Sequence, residues 1–163
     1  MGDRVSLRVV TSDDWPLWRD LRVAALTDAP HAFRARLADW ESGGREQWRA
    51  RLATPGAHHV VAVRDGRPVG MVRGVPGDGP RSELRSLWVD SEARGAGVGD
   101  RLVASVTAWA LRSGARTLRL AVVPGNEAAL ALYLRHGFVA VGAPGEPLAD
   151  GVTRERVLDK ALR

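Results

Sequence analysis

A single α/β domain over residues 1–163 is the fold class that this sequence predicts, and three observations carry the prediction. Short β-prone runs recur along the chain, interleaved with segments whose apolar residues repeat at helical spacing. One junction of this kind, "ARGAGVGDRL" at 93–102, sets three glycines at alternate positions between a strand-like run and a helix-like one. The 163 residues are 45% apolar and contain no repeat, linker or low-complexity tract, which fits one core of useful size.

The elements follow in order. "VSLRVV" (5–10) alternates as a first strand. "TSDDW" offers caps at Thr11, Ser12 or Asp13, and near-helical apolar spacing from Trp15 to Leu26 predicts a helix over 13–26. Pro30 breaks the chain after it. Trp48 and Leu52, four apart, predict a second helix from about Gly44 to Ala53. Two β-prone runs, 58–64 and 68–75, flank Asp65-Gly66, a pair suited to a tight hairpin turn. "SELRSLWV" (82–89) is a further strand. Val98, Leu102, Val106 and Trp109 mark one face of a helix that Gly114 ends. "TLRLAVV" (117–123) is a strand, and Asn126 caps a helix over 126–136 that Gly137 stops. "FVAVG" is a short strand, "APGEPLADG" (143–151) a loop, and "VTRERVLDKAL" a last strand.

Composition narrows the function. Net charge is +5, and 23 of the 24 basic residues are arginine, Lys160 being the exception. They are spread from Arg4 to Arg163 with acids between them, the pattern of a solvated surface rather than a nucleic-acid site. No cysteine is present, which excludes disulfides, thiolate metal sites and a cysteine nucleophile, and fits a reducing, cytoplasmic compartment. The four histidines, His31, His58, His59 and His136, have no metal-ligand spacing, so no metal is expected. No run approaches the ~18 apolar residues of a membrane span. The N-terminus has no signal-peptide core, so no membrane partner is expected. "MGDRVS" matches a loose myristoylation pattern, but the alternation of Val5, Leu7 and Val9 places Ser6 in the first strand. Ser86 lacks the G-x-S-x-G setting of a hydrolase nucleophile.

The glycines at 95, 97 and 99 need a reason, because fixing glycine costs roughly 0.5–1 kcal/mol against alanine inside a regular element. The first amides of a helix lack internal partners and carry the positive end of its dipole. Stripping side chains from that turn lets a phosphate or diphosphate reach them, and Arg94 adds a full charge at the entrance. A nucleotide-triphosphate loop would end in G-K-[ST], but Asp100 and Arg101 follow Gly99 here. A dinucleotide fingerprint would read G-x-G-x-x-G with an acid at the end of the next strand, and "RTLRLAV" offers none.

"LWVDSEARGAGVG" resembles the acyl-coenzyme-A loop of the GNAT superfamily of N-acetyltransferases. "TLRLAVVPGNEAALALYLRHGF" is similar to that family's next strand, Asn-capped helix and Tyr-x-x-x-G-F ending. "LRVAALTDAPHAF" resembles its first helix and acceptor-side segment. The match is strong over 82–138, fair over 5–75 and weak beyond 141, with Ser91 where many members carry proline. The resemblance implies a mixed, mostly antiparallel sheet of about six or seven strands. That sheet is splayed at a central parallel pair, 82–89 and 117–123, with helices on both faces.

It also implies an acetyl-CoA-dependent N-acetyltransferase, a transferase acting by direct attack of a primary amine, from a small molecule or a peptide, on the thioester. Strand-edge groups of Leu87 and Val89 would hold the pantetheine arm. The main chain of Arg94, Gly95, Ala96, Gly97, Val98 and Gly99 would cradle the diphosphate. Asn126 would cap its helix and contact coenzyme A or the acceptor. Glu83 is matched to a general base, and Tyr133, the only tyrosine, to the acid that protonates the leaving thiolate. The Val89 amide is matched to the oxyanion donor. Phe33, Asp28, Asp39 and Glu41 fall in the segment that shapes acceptor choice in relatives, and Trp40 and Trp48 are candidate pocket or core residues. Dimers are frequent among such proteins, so a homodimer is among the expected assemblies. The alternative reading is a catalytically inactive coenzyme-A-binding sensor of the same fold, against which the joint presence of Glu83, Asn126 and Tyr133 argues.

Overall fold

The computed structural model describes residues 5–28, 44–148 and 150–162. The predicted break at Pro30 and the residues Phe33, Asp39, Trp40, Glu41 and His31 lie outside them. Seven strands form one sheet: β1 (Val5–Val9), β2 (His58–Arg64), β3 (Arg67–Pro76), β4 (Arg81–Val89), β5 (Thr117–Val122), β6 (Val139–Pro147) and β7 (Arg154–Ala161). Their spatial order is β1-β2-β3-β4-β5-β7-β6. Every neighbouring pair is antiparallel except β4 with β5.

Among the described residues, two helices cover each face. α1 (Trp15–Asp28) and α2 (Arg45–Leu52) lie on one side, where Trp18, Leu21, Ala25, Trp48 and Leu52 pack on Val61, Met71 and Trp88 of the sheet. α3 (Val98–Arg112) and α4 (Glu127–Arg135) lie on the other, where Val98, Leu102, Val106 and Tyr133 join Val60, Val72, Leu84, Leu118 and Leu120. Trp48 is therefore core rather than pocket lining, and it is fully buried. Alternation explains the division: successive strand residues face opposite sides, so both faces of the central strands are apolar and both need a cover.

Local signals act as expected at several places. Thr11 caps a short 3₁₀ turn at Ser12–Asp14 that leads into α1, and Asp14 answers the Thr11 amide at 2.8 Å. Asp65 and Gly66 both have positive φ, 52° and 78°, as a two-residue hairpin turn requires. The predicted loop at 143–151 is a correction. β6 continues through it to Pro147 and pairs with β7, with register shifts on either side of Pro144. Proline is incompatible with a central strand, but β6 is the sheet's edge, where one rim of the backbone has no ladder to join. A Cβ on Gly145 would fall 2.2 Å from the Glu155 carbonyl oxygen, so the close pairing there needs glycine.

His59 illustrates how the core tunes stability. Its ring is 2% exposed and meets Trp18 edge-on, with centroids 4.9 Å apart. Burial, then Arg73 and His58, lower its pKa to about 4. In the unfolded chain the ring titrates near 6.5. Between those values the unfolded state holds the extra proton, so stability falls as pH drops through the window, by on the order of 3 kcal/mol at most. Replacing His59 with Phe is expected to flatten the acid side of the melting-temperature profile. An unaltered slope from about pH 7 to 4 would contradict this account.

Candidate active site

The site grows from a defect in β4. Met71 of β3 pairs with Trp88 and Arg73 with Arg85, so the single residue Val72 faces both Ser86 and Leu87. The extra residue is a β-bulge, and Ser86 takes a left-handed φ of 60°. The bulge exchanges faces: Leu84 packs under α3, whereas Trp88, also an even position, packs under α1. It also turns β4 away from β5. Parallel pairing covers only Arg81–Thr117, Ser82–Leu118 and Glu83–Arg119. Beyond Glu83 the two strands part.

Around that gap lie two cavities. One, about 480 Å³, includes Glu83, Leu87, Leu120, Asn126 and Tyr133 in its walls. The other, about 570 Å³, is bounded by Val89, Arg94, Gly95, Gly97, Val98 and Gly99. Leu87, Asn126 and Ala129 border both, so the cavity at the glycine turn adjoins the one at the splay. Asn126 caps α4 by accepting from the Ala129 amide at 3.3 Å, which sets its side chain at this junction.

Two different constraints account for the three glycines. Gly95 and Gly97 have φ of 86° and 79°, and a Cβ on either would meet open space, so backbone handedness is what excludes other residues. Gly99 has no such φ. A Cβ there would lie 3.1 Å from Leu132 of α4, so it permits helix–helix contact. Gly97 caps α3 without a side-chain hydrogen bond. The amides of Val98, Gly99 and Asp100, in the first turn, have no intrahelical acceptor. The first intrahelical bond runs from the Arg101 amide to the Gly97 carbonyl, 3.2 Å. Such a turn suits a diphosphate.

Asp90 donates its amide to Val69 of β3 at 2.8 Å. Strand alternation therefore turns the amide and carbonyl of Val89 toward the gap. The carbonyl accepts from Arg94 Nε at 3.0 Å. Arg94 also reaches Asp28 at the end of α1, 2.8 Å away, and Trp88 Nε1 donates to the same carboxylate at 3.1 Å. Asp28 thus ties α1 to the loop, and the Arg94 guanidinium points there rather than along the glycine turn. Ala96 is exposed and does not border the cavity, and its amide donates to Ala93 at 3.4 Å.

Tyr133 is buried, its ring 5.9 Å from Phe138 in an edge contact. Burial raises the phenol's pKa, so it keeps its proton through the physiological range. Glu83 is partly exposed and accepts from Arg85 at 2.8 and 3.2 Å, both bonds going to Oε1. Arg119, beside Glu83 in the parallel pairing, is held bidentately by Asp159 at 2.7 and 3.0 Å.

A family model described as the acetyltransferase (GNAT) family matches residues 15–138. The chain belongs to the GNAT acetyltransferase family. It is 33% identical over 142 residues to a mycothiol acetyltransferase from Salinispora arenicola, a match covering 82% of this chain and 43% of that protein. The chain spans about half the length, 43% and 47%, of the curated relatives it matches. A GCN5-related N-acetyltransferase structure from Kribbella flavida is 26% identical, with a TM-score of 0.77 over 97% of this chain and 98% of that one. The PaiA N-acetyltransferase of Thermoplasma acidophilum, solved in complex with coenzyme A, shares the fold at a TM-score of 0.76 and 16% identity, over 98% and 99%.

As in other members of the GNAT family, the sheet is mostly antiparallel with one parallel pair, as the sequence resemblance implied. Sequence reasoning missed two features of the site. The bulge at Ser86 has no glycine to announce it. The arginines that border the first cavity, Arg22 and Arg73 among them, were read as part of a diffuse surface. A signal existed: Arg22 follows Leu21 and stands four after Trp18, on α1's buried face, and Arg73 interrupts the apolar run of β3. Among the described residues no cluster of metal-ligating side chains occurs, and no helix is long and apolar enough to cross a membrane.

Proposed function

We propose that this chain is an N-acetyltransferase that moves an acetyl group from acetyl-CoA to a primary amine without a covalent enzyme intermediate. The observation that carries the reading is the pair of cavities that share Leu87, Asn126 and Ala129, one bordered by the glycine turn at α3 and the other by Glu83 and Tyr133. The described elements share one sheet, and the reading takes them as one catalytic domain. Membership of the GNAT family and the coenzyme A bound to the Thermoplasma neighbour support it.

The residues divide the work. The open amides at the start of α3 hold the diphosphate, and Leu87 and Val89 hold the pantetheine arm along the freed edge of β4. The thioester supplies an activated acyl carbon. Glu83 takes the proton that the amine must lose before its lone pair forms the new C–N bond. The Val89 amide donates to the carbonyl oxygen as negative charge gathers there, a contact of the kind worth ~3 kcal/mol of barrier. Tyr133 gives its phenolic proton to the sulfur as the C–S bond breaks, and the second proton shed by the new amide nitrogen restores the phenol by way of solvent. The products are an amide and free thiol.

Release of thiol from acetyl-CoA across a panel of amines tests the reading. Tight binding of coenzyme A with no thiol release from any amine class would favour the inactive sensor instead. Within the active reading, Glu83→Gln is expected to lower kcat/KM by roughly 100-fold, with acetyl-CoA affinity changed little. A variant that keeps full kcat/KM would place the base elsewhere.

A further inference from the structure

The cavity beside Glu83 has a divided lining. Glu83, Glu146 and Glu155 contribute its acids, the last two from β6 and β7. Arg22 of α1 and Arg73 of β3 border the same cavity. Three of the cavity's cations have carboxylates nearby: Arg85 bonds Glu83 at 2.8 Å, Arg119 is clasped by Asp159, and Arg81 lies 3.6 Å from Asp78. Arg73 has an orphaned donor: its Nε, like that of Arg81, is buried with no hydrogen-bond partner among the described residues. Its cross-strand neighbour is another arginine, Arg85, a like-charge pair that is destabilising by itself. Burial, then Arg85 and Arg51, push the Arg73 guanidinium down to about 10, and burial, then Arg73 and Arg51, do the same to Arg22. Arg22 is itself only 6% exposed. Two guanidiniums on one cavity, Arg73 disfavouring the charge of Arg22 and carrying a buried unused donor, form a receptor for an anion, because an oxyanion beside them would relieve the repulsion and take up that donor.

We infer that the acceptor is a small amine carrying its own anionic group, a carboxylate or a phosphate, which Arg73 and Arg22 hold while the amine lies toward Glu83. A polyamine fits this lining poorly, since its second cation would meet the arginines. The inference rests on the acetyltransferase reading and adds the acceptor's chemical class to it.

The test is thiol release from acetyl-CoA with matched acceptors: phenylalanine against 2-phenylethylamine, O-phosphoethanolamine against ethanolamine, and spermidine alone. The anionic member of at least one pair is expected to have the higher kcat/KM, by about 10-fold or more. The pair that responds tells carboxylate from phosphate. Arg73→Gln is expected to shrink that preference on the order of 10- to 100-fold, the scale of a lost charge-assisted contact. The wild-type protein provides an arm that needs no variant. 3-Phenylpropanoate (for the carboxylate case) or methyl phosphate (for the phosphate case) is expected to compete with the amine and not with acetyl-CoA. Preference for the neutral member in both pairs, or for spermidine, overturns this inference and leaves the acetyltransferase reading standing. An Arg73→Gln variant that folds and keeps the full preference also overturns it. No thiol release from any acceptor overturns both.

Discussion

Gly97→Val is expected to weaken acetyl-CoA binding by about 100-fold or more while the protein stays folded. Gly97 sits at φ 79° immediately before α3, and nothing lies within 4 Å of where its Cβ would be. The new side chain therefore finds room, and the penalty is conformational. A β-branched residue in the left-handed region is strained by roughly 1–3 kcal/mol. The chain can escape that cost by rotating residue 97 to negative φ. Doing so swings the amides of Val98 and Gly99 out of the diphosphate's reach. Either way affinity falls, through strain that binding must sustain or through a lost cradle. Gly99→Val makes an instructive control. Its Cβ meets Leu132 at 3.1 Å rather than a φ barrier, so its first effect should be on the melting temperature through α4. Titration calorimetry with acetyl-CoA, alongside thermal melts, separates the two. Unchanged affinity in Gly97→Val would mean that the turn does not hold the diphosphate.

Tyr133→Phe is expected to lower kcat on the order of 100- to 1,000-fold with acetyl-CoA affinity changed by no more than about 3-fold. The substitution keeps the ring that packs against Phe138 inside the α3–α4 core and removes only the phenolic hydroxyl. A chemical readout distinguishes loss of the acid from loss of packing. A thioester whose thiol is more acidic needs less help in leaving, so the defect should shrink with an aryl-thiol donor and persist with acetyl-CoA. Because burial raises the phenol's pKa, the wild-type protein should show no loss of this proton between neutral pH and the ordinary tyrosine range near 10. An equal defect with both donors would assign Tyr133 a purely structural role.

The candidate site was unevenly legible. The glycine turn could be read because its residue types are rare for a physical reason: positive φ at Gly95 and Gly97 leaves few alternatives to glycine. Asn126 could be read because a cap is a local hydrogen bond, made to an amide three residues on. β6 was misread because proline and glycine mark loops only where both rims of a strand must bond. Its place at the edge of the sheet follows from β7 inserting between it and β5, which no local pattern records.

Local chemistry along the chain thus determined the run of strands and helices, the anion-ready start of α3 and the cap at Asn126, since each depends on residues within a few positions of one another. Tertiary structure alone decided the rest. The bulge at Ser86 opened β4 from β5 and exchanged which residues face which helix layer, and Arg22 and Arg73, 51 positions apart, became neighbours on one cavity wall. Charge at a site is a sum over groups brought close in space, with burial setting how strongly they act on one another. Neither distance nor burial is written in the order of the residues.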